Sequence, residues 1–170
     1  MNRLIIITGA SRGIGEAIAI EFNKMVNAHI LLIARDYDRL CDVRNKLVEA
    51  NKNRNRVSIL NIDFSLPNQV ADFFKLLKEV FVDTDLGNFK EMYAIYNHGT
   101  LEYGSISLKA QEPLRENFET NLFSVWSLLS AINLLVPTSV IERQFHVNIS
   151  SKYAKEPVAM WSGQCCGNLV

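Results

Sequence analysis

The sequence has few cysteines, no excess of charge of either sign and no long apolar segment. Its 170 residues include three cysteines, and 18 Lys and Arg side chains are balanced by 18 Asp and Glu. A balanced charge provides no basic field for nucleic acid or anionic lipid. No stretch approaches the 18 uninterrupted apolar residues of a membrane-spanning helix. We therefore expect neither nucleic acid nor a membrane as a partner.

The three cysteines, Cys41, Cys165 and Cys166, lack the spacing of a metal site or a disulfide framework. Two unrelated thiols are a simpler interpretation of the adjacent pair than a redox site. A sparse, odd set indicates a reducing compartment. The amino-terminal apolar run has no small-residue cleavage site after it, unlike a signal peptide. These features predict a cytoplasmic protein with no metal site.

The composition, with 48% hydrophobic and 21% charged residues, is that of a folded globular chain. Its length predicts one domain over residues 1–170, since no linker or low-complexity segment divides it.

Short apolar runs alternate with segments of helical periodicity along the chain. Strands are predicted at residues 4–8, 29–34, 57–61, 91–96 and 145–149, and helices at 14–26, 36–51, from 65–67 onward to 81, and 114–136. Such alternation predicts an α/β fold, a doubly wound parallel sheet of Rossmann type with helices on both faces.

Helical spacing also predicts which residues face inward. The first helix is expected to use Ile14, Ala17, Ile18, Phe22 and Met25, and the last to use Phe118, Leu122, Val125, Trp126 and Leu129.

Ligands of such sheets bind beyond the carboxyl ends of the strands. After the first predicted strand the sequence reads Thr8-Gly9-Ala10-Ser11-Arg12-Gly13-Ile14-Gly15. Glycines at these positions allow a tight turn and a close approach by a pyrophosphate, and the following helix adds its partial positive charge. A glycine-rich turn without a ligand is the alternative. The candidate cofactor residues here are Gly9, Ser11, Arg12, Gly13, Ile14 and Gly15.

The end of the second strand carries Ala34 where an NAD site usually has an acidic residue for the ribose 2′-hydroxyl. Arg35 and Asp36 follow, and Arg12 lies in the glycine loop. Two guanidinium groups suit a 2′-phosphate, which predicts NADP(H), although Asp36 weakens the positive potential. A solvated surface position for Arg35 is the alternative.

The G-x-x-x-G-x-G spacing resembles the opening of the short-chain dehydrogenase/reductase family, typically T-G-x-x-x-G-I-G, and the resemblance extends from residue 3 to about residue 162. It implies further cofactor contacts at Asp63, in the adenine region, and at Asn97 and Gly99, which match part of an Asn-Asn-Ala-Gly motif. It also implies that Asn121 and Ser151 hold the places of the family's catalytic Asn and Ser.

The chain departs from this family at the proton donor. Members carry a Tyr thirteen residues after the Ser and a Lys four further on, but these positions are Gln164 and Asn168 here. A Gln amide has no titratable proton to give to a developing alkoxide. Tyr153 lies too close to Ser151 to replace the Tyr without rebuilding the loop. We therefore expect weak or no turnover.

Within the family, the chain most closely resembles the sepiapterin reductases. The matching segments are residues 31–36 (LLIARD), 97–101 (NHGTL) and 148–151 (NISS), followed by Pro157 and Trp161. The resemblance implies NADPH-dependent reduction of a pterin side-chain carbonyl, in tetrahydrobiopterin synthesis, by a homo-oligomer.

Members of the family continue beyond the length of this chain, so a C-terminally truncated form lacking half of the usual subunit interface is expected. A truncated product, an alternative transcript, an imperfect gene model and a degenerate paralogue remain open. The alternatives to an active reductase are a catalytically dead NADP-binding module and a poorly folding fragment.

Two roles are open for His98 in the fourth-strand loop. It is either a proton shuttle or, as loop histidines more often are, a locally hydrogen-bonded residue, whereas His29 and His146 are expected to be structural.

Overall fold

The computed structural model describes residues 2–52, 54–101 and 111–151. Its elements in chain order are β1 (Arg3–Thr8), α1 (Gly13–Asn23), β2 (Ala28–Ala34), α2 (Tyr37–Asn51), β3 (Arg56–Asn61), α3 (Pro67–Ala71), α4 (Phe73–Val80), β4 (Glu91–Tyr96), α5 (Gln111–Phe118), a π-helical turn (Glu119–Phe123), α6 (Ser124–Leu135) and β5 (Arg143–Asn148).

The five strands form one parallel sheet in the order β3-β2-β1-β4-β5. The chain moves outward from β1 in one direction through β2 and β3, then crosses to β4 and continues in the other direction. This is the predicted doubly wound α/β fold, which is confirmed. The order of the strands reverses between β1 and β4, where such sheets bind ligands.

The central strands are buried on both faces, because alternate residues point to opposite sides and helices pack on each side. The edge strand β5 is mostly exposed. In β1, Leu4 and Ile6 pack in a core that includes residues of α4 and α6, whereas Ile5 and Ile7 pack in a second core under α1 and α2. The near-continuous apolar runs of the sequence thus correspond to strands covered on both faces.

The face of α1 that packs inward matches the expectation in part, since Ile18 and Phe22 pack against the core whereas Ala17 is exposed. Ile14 is 63% exposed and Met25 is 37% exposed, while Gly15, Ala19 and Asn23 are buried. Small residues occupy the contact because α1 begins directly on the loop after β1, where the backbones approach closely. Asn23 is satisfied there by donating to the carbonyl of Leu47, 2.8 Å away.

The predicted helix at 114–136 is interrupted by the π-helical turn, and its inward face was predicted wrongly in part. Trp126 is 71% exposed, and the buried positions at the amino-terminal end are Asn117, Thr120 and Ser124. Two of these side chains face the loop that follows β4: Nδ2 of Asn117 donates to the carbonyl of Thr100 at 3.3 Å, and Oγ of Ser124 lies 2.7 Å from Nε2 of His98. The buried hydroxyl of Thr120 has no hydrogen-bond partner among the described residues. Val125 and Leu129 pack against the core as predicted, and the first fully buried apolar residue of α6 is Leu128.

Candidate functional site

A cleft of about 380 Å³ opens at the carboxyl edge of the sheet, beside the point where the strand order reverses. It receives residues from the ends of four strands and from the α5 region. The lining residues are Gly9, Ser11, Arg12, Gly13, Ile14, Ala34, Arg35, Ile62, Asp63, Phe64, Ser65, Asn97, His98, Gly99, Thr100, Glu116 and Thr120. The structure therefore brings together most of the cofactor residues predicted from the sequence.

Two positions of the glycine loop need glycine, each for a different reason. Gly13 has a φ of +58°, and nothing lies within 4 Å of the position that a Cβ would occupy, so its backbone faces open space. Gly15 is buried, and a Cβ there would lie 2.3 Å from the carbonyl oxygen of Gly9. Gly13 thus leaves the cleft open, whereas Gly15 allows α1 to pack on the loop beneath it.

The amino-terminal end of α1 is not capped by a side chain. The N-cap residue is Arg12, whose side chain makes no capping hydrogen bond. The first amide groups of a helix have no partner within the helix, and together with the helix dipole they favour an anion. The end of α1 at the cleft is therefore suited to a phosphate group.

Two arginines border the cleft near this helix end. Within the residues that the structure describes, neither Arg12 nor Arg35 forms an ion pair. Asp36 instead caps α2, since its carboxylate accepts from the amide of Arg39 at 3.1 Å and pairs with the Arg39 guanidinium at 3.2 Å. The expected weakening of the positive potential by Asp36 is thus offset by Arg39. Asp36 is not among the described residues that line the cleft.

Asn97 connects the loop after β4 to the glycine loop. Its amide nitrogen donates to the carbonyls of Thr8 and Gly9, at 3.3 and 3.2 Å. The Thr8 hydroxyl in turn accepts from the backbone amides of Asn97 and His98, at 2.9 and 3.2 Å. Sequence reasoning named Asn97 but missed Thr8, whose buried hydroxyl holds the two loops together.

Both ring nitrogens of His98 are engaged in side-chain hydrogen bonds. Nδ1 lies 2.6 Å from Oγ1 of Thr8, and Nε2 lies 2.7 Å from Oγ of Ser124. The ring also packs on Phe64, with 3.9 Å between ring centroids. Burial lowers the pKa of His98 to about 4, so the ring is neutral at pH 7. Of the two roles open for this residue, the structure supports local hydrogen bonding.

Asn121 lies within the π-helical turn and binds the backbone of Thr100. Its Oδ1 accepts from the amide of Thr100 at 2.8 Å, and its Nδ2 donates to the carbonyl of the same residue at 2.9 Å. Gly99 allows this approach, because a Cβ there would lie 3.3 Å from Oδ1 of Asn121. Asn121 thus holds the wall of the cleft that Thr100 forms.

Asp63 and Glu116 contribute carboxylates to the cleft. Asp63 is placed by a local turn in which Oδ1 accepts from the amide and the hydroxyl of Ser65, at 3.0 and 2.8 Å. Glu116 and Thr120 were not predicted from the sequence. The only indication in the sequence is that Glu116 lies five residues before Asn121 and Thr120 lies one residue before it.

Ser151 lies three residues beyond β5, at the carboxyl edge of the sheet. Tyr153, Gln164 and Asn168 lie outside the described residues, as do Cys165 and Cys166. Among the residues that are described, no cluster of His, Cys, Asp and Glu side chains could hold a metal ion. In the same part of the chain, no helix combines the length and the apolar character needed to cross a membrane.

Comparison with known proteins gives one family. The family model for short chain dehydrogenases matches residues 3–166. No curated protein matches the chain at a significant level.

Several solved structures share the fold. The alcohol dehydrogenase of the archaeon Thermococcus sibiricus, complexed with 5-hydroxy-NADP, is 26% identical, with a TM-score of 0.80 over 99% of this chain and 66% of that one. L-sorbose reductase from Gluconobacter frateurii, complexed with NADPH and L-sorbose, is 25% identical, with a TM-score of 0.78 over 99% of this chain and 59% of that one.

A short chain dehydrogenase from Salmonella enterica serovar Typhi CT18 is 20% identical, with a TM-score of 0.82 over 99% of this chain and 66% of that one, which supports the fold alone. The chain therefore spans between 59% and 66% of the length of these three proteins.

Proposed function

Because this chain belongs to the short-chain dehydrogenase/reductase family, we propose that its cleft binds NADP(H) and that the bound dinucleotide serves the reduction of a small carbonyl compound. The observation that carries the cofactor assignment is the presence of two arginines, Arg12 and Arg35, without an ion pair among the described residues, beside an uncapped helix end. The solved complexes of the Thermococcus and Gluconobacter proteins contain an NADP derivative and NADPH, which supports the same assignment.

The described residues fit the parts of the dinucleotide. The amides at the start of α1, with the open backbone of Gly13, suit the pyrophosphate. Arg12 and Arg35 suit the 2′-phosphate through paired, charge-assisted hydrogen bonds. Asp63 would face the adenine region. Ala34, in place of an acidic residue, removes the group that would repel a 2′-phosphate.

The dinucleotide, when bound, supplies a hydride. Ser151 and Asn121 are the residues that we assign to the reacting end, by their match to the family pattern. Ser151 would donate a hydrogen bond to the carbonyl oxygen. Asn121 would hold the Thr100 wall against which the site is built, through its two hydrogen bonds to that residue.

The substrate class that we propose is a pterin with a side-chain carbonyl. Support comes from the sequence alone, in residues 31–36, 97–101 and 148–151, together with Pro157 and Trp161, which match the sepiapterin reductase pattern. We propose a cytoplasmic location on the basis of the sparse cysteines.

A second candidate is an NADP(H)-binding module that does not turn over substrate. Gln164 and Asn168, in place of the family's Tyr and Lys, specifically favour it, because neither side chain is an acid that can protonate the product. Both candidates require the same cofactor and differ only in turnover.

Titration of the purified chain with NADPH and with NADH, followed by the fluorescence of the reduced nicotinamide, tests the common part of the proposal. We expect NADPH to bind more tightly than NADH. Equal affinities would rule out the 2′-phosphate assignment, and no binding of either would overturn the proposed function. Consumption of bound NADPH with sepiapterin then separates the two candidates.

A further inference from the structure

The direction of each hydrogen bond around His98 follows from the protons available. The hydroxyl of Ser124 has one proton, which it donates to the carbonyl of Thr120 at 2.6 Å. Oγ of Ser124 must therefore accept from Nε2–H of His98. A neutral ring protonated at Nε2 leaves the lone pair of Nδ1 as an acceptor for the Thr8 hydroxyl. This acceptor, at 2.6 Å, is nearer to the hydroxyl than the other one, the carbonyl of Ile95 at 3.3 Å. The chain of donors thus runs from Thr8 through His98 and Ser124 to Thr120.

This chain of hydrogen bonds from Thr8 to Thr120, here called the relay, ends on the carbonyl of Thr120. The π-helical turn leaves that carbonyl without its usual partner in the helix. The backbone amide of Ser124 donates to the carbonyl of Glu119, five residues earlier, instead of to that of Thr120, four residues earlier. The Thr120 carbonyl consequently needs another donor, and the Ser124 hydroxyl provides it. The relay and the π-helical turn therefore stabilise one another.

The same turn carries Asn121, which binds both backbone groups of Thr100. We propose that His98 is a positioning residue: by tying Ser124 to the carboxyl end of β1, it fixes the π-helical turn and so directs Asn121 at the Thr100 wall of the cleft. The consequence for NADP(H) binding rests on the proposed function, whereas the hydrogen-bonded relay itself does not.

His98 makes two kinds of contact: its ring face packs on Phe64, and its two ring nitrogens form hydrogen bonds. Phe at position 98 keeps the stacking surface but loses both hydrogen bonds. Gln offers an amide donor near the place of Nε2, and Asn offers an acceptor near the place of Nδ1. H98F, H98Q and H98N therefore separate packing from the link to Ser124 and from the link to Thr8.

Amide hydrogen exchange at Thr100 measures the predicted effect, because this amide donates to Oδ1 of Asn121. We expect H98F and S124A to exchange faster at Thr100, by about 2- to 12-fold, the range for one lost hydrogen bond. H98Q, which keeps the link to Ser124, should restore most of the protection, and H98N should not. S130A is the matched control, since Ser130 is exposed on α6 and should leave the exchange rate unchanged.

The ring nitrogens provide a spectroscopic test in the unmodified chain. Nitrogen-15 shifts should place the proton of His98 on Nε2, and S124A should shift the ring toward a mixture of the two tautomers. A proton on Nδ1 in the unmodified chain, or unchanged Thr100 exchange in a folded H98F, would overturn the proposal. If H98F does not fold, S124A, H98Q and the ring shifts decide the question.

Binding of NADPH connects the relay to the cleft. We expect H98F to weaken NADPH binding by about 2- to 12-fold and S130A to leave it unchanged. If the unmodified chain binds no NADPH, the proposed function fails, while the exchange and nitrogen-15 data still decide whether His98 positions Asn121. NADPH affinity that is equal in folded H98F and the unmodified chain would contradict the positioning role at the cleft.

Discussion

The hydroxyl of Thr8 lies 2.6 Å from Nδ1 of His98, so the last residue of β1 is hydrogen-bonded to the second residue after β4. These two strands are the neighbours between which the order of the sheet reverses. Because the cleft opens between their carboxyl ends, this contact, together with the hydrogen bonds of Asn97 to Thr8 and Gly9, holds the two sides of the candidate site together.

Replacing Arg35 with Ala should weaken NADPH binding selectively. The expected loss is about 1.5–3 kcal/mol, the range for a hydrogen bond to a charged group. NADH has no 2′-phosphate, so its affinity should change little. The measurement is fluorescence titration of R35A with both cofactors. R54A is the matched control, because Arg54 is exposed and does not line the cleft, and an equal loss of NADPH affinity in R54A would contradict the assignment.

Gly13→Asp should abolish NADPH binding, whereas Gly13→Ala should only reduce it. Both variants carry a side chain at a φ of +58°, which Asp tolerates better than Ala, so backbone strain does not explain a larger loss in the Asp variant. Nothing lies within 4 Å of the Cβ position, so the Cβ atom meets no clash in either variant. Only the Asp places a negative charge at the end of α1, where we propose that the pyrophosphate binds. The comparison uses NADPH titration at matched thermal stability, and equal affinities in the two variants would argue against a phosphate there.

Acidification should destabilise the fold through His29. This side chain is buried with Nε2 2.9 Å from the Ser58 hydroxyl, and burial together with the nearby Arg56 charge lowers its pKa from 6.5 to about 4. The unfolded chain binds the proton more readily between these values, so stability is full above pH 6.5 and falls as the pH drops toward 4. At pH 5 the loss from this group is about 2 kcal/mol.

Urea unfolding at pH 7.5 and pH 5 measures this loss. H29Q, which keeps an amide donor for Ser58 and does not titrate, should show a smaller decrease than the unmodified chain. His98 contributes in the same direction, since its pKa is also lowered to about 4, and this part remains in H29Q. Partial burial lowers the pKa of His146 as well, so H146Q measures the contribution of this residue separately. The prediction fails if the pH dependence of H29Q equals that of the unmodified chain.

The unmodified chain should reduce sepiapterin at no more than a trace rate. General acid catalysis contributes about 10²–10⁴-fold, and Gln164 cannot provide it. The variant Q164Y/N168K should raise the rate, with N168K alone as its control. Because the effects of residues in one catalytic unit are not additive, the single variants do not predict the double.

The assay follows NADPH consumption with sepiapterin, for the chain alone and for the chain fused to the C-terminal half of a reductase. We expect the double substitution to need the fusion, because a new Tyr must lie on a packed helix to be aimed at the substrate. Rapid turnover by the unmodified chain would show that another group supplies the proton.

The sequence by itself determined the architecture and most of the residues that line the cleft on the side of the glycine loop. Hydrophobic periodicity is a local property of the chain, so it predicts the strands β1, β2 and β4. For the same reason it predicts the helix α2 and its buried residues Leu40, Val43 and Leu47. The glycine loop was predicted for the same reason, since the motif and the turn that it forms occupy the same few residues.

Only the tertiary structure decided which polar groups meet. The bonds of Thr8 with Asn97 and His98 join residues 89 and 90 positions apart, and no local pattern signals them. The side chains of Asn117, Thr120 and Ser124 are buried, whereas the hydrophobic pattern predicts that Trp126 is buried on this helix. Periodicity locates the face of a helix that meets an apolar core. It cannot locate a face that meets a hydrogen-bonding loop, because those partners come together only when β1 and β4 pair in the sheet.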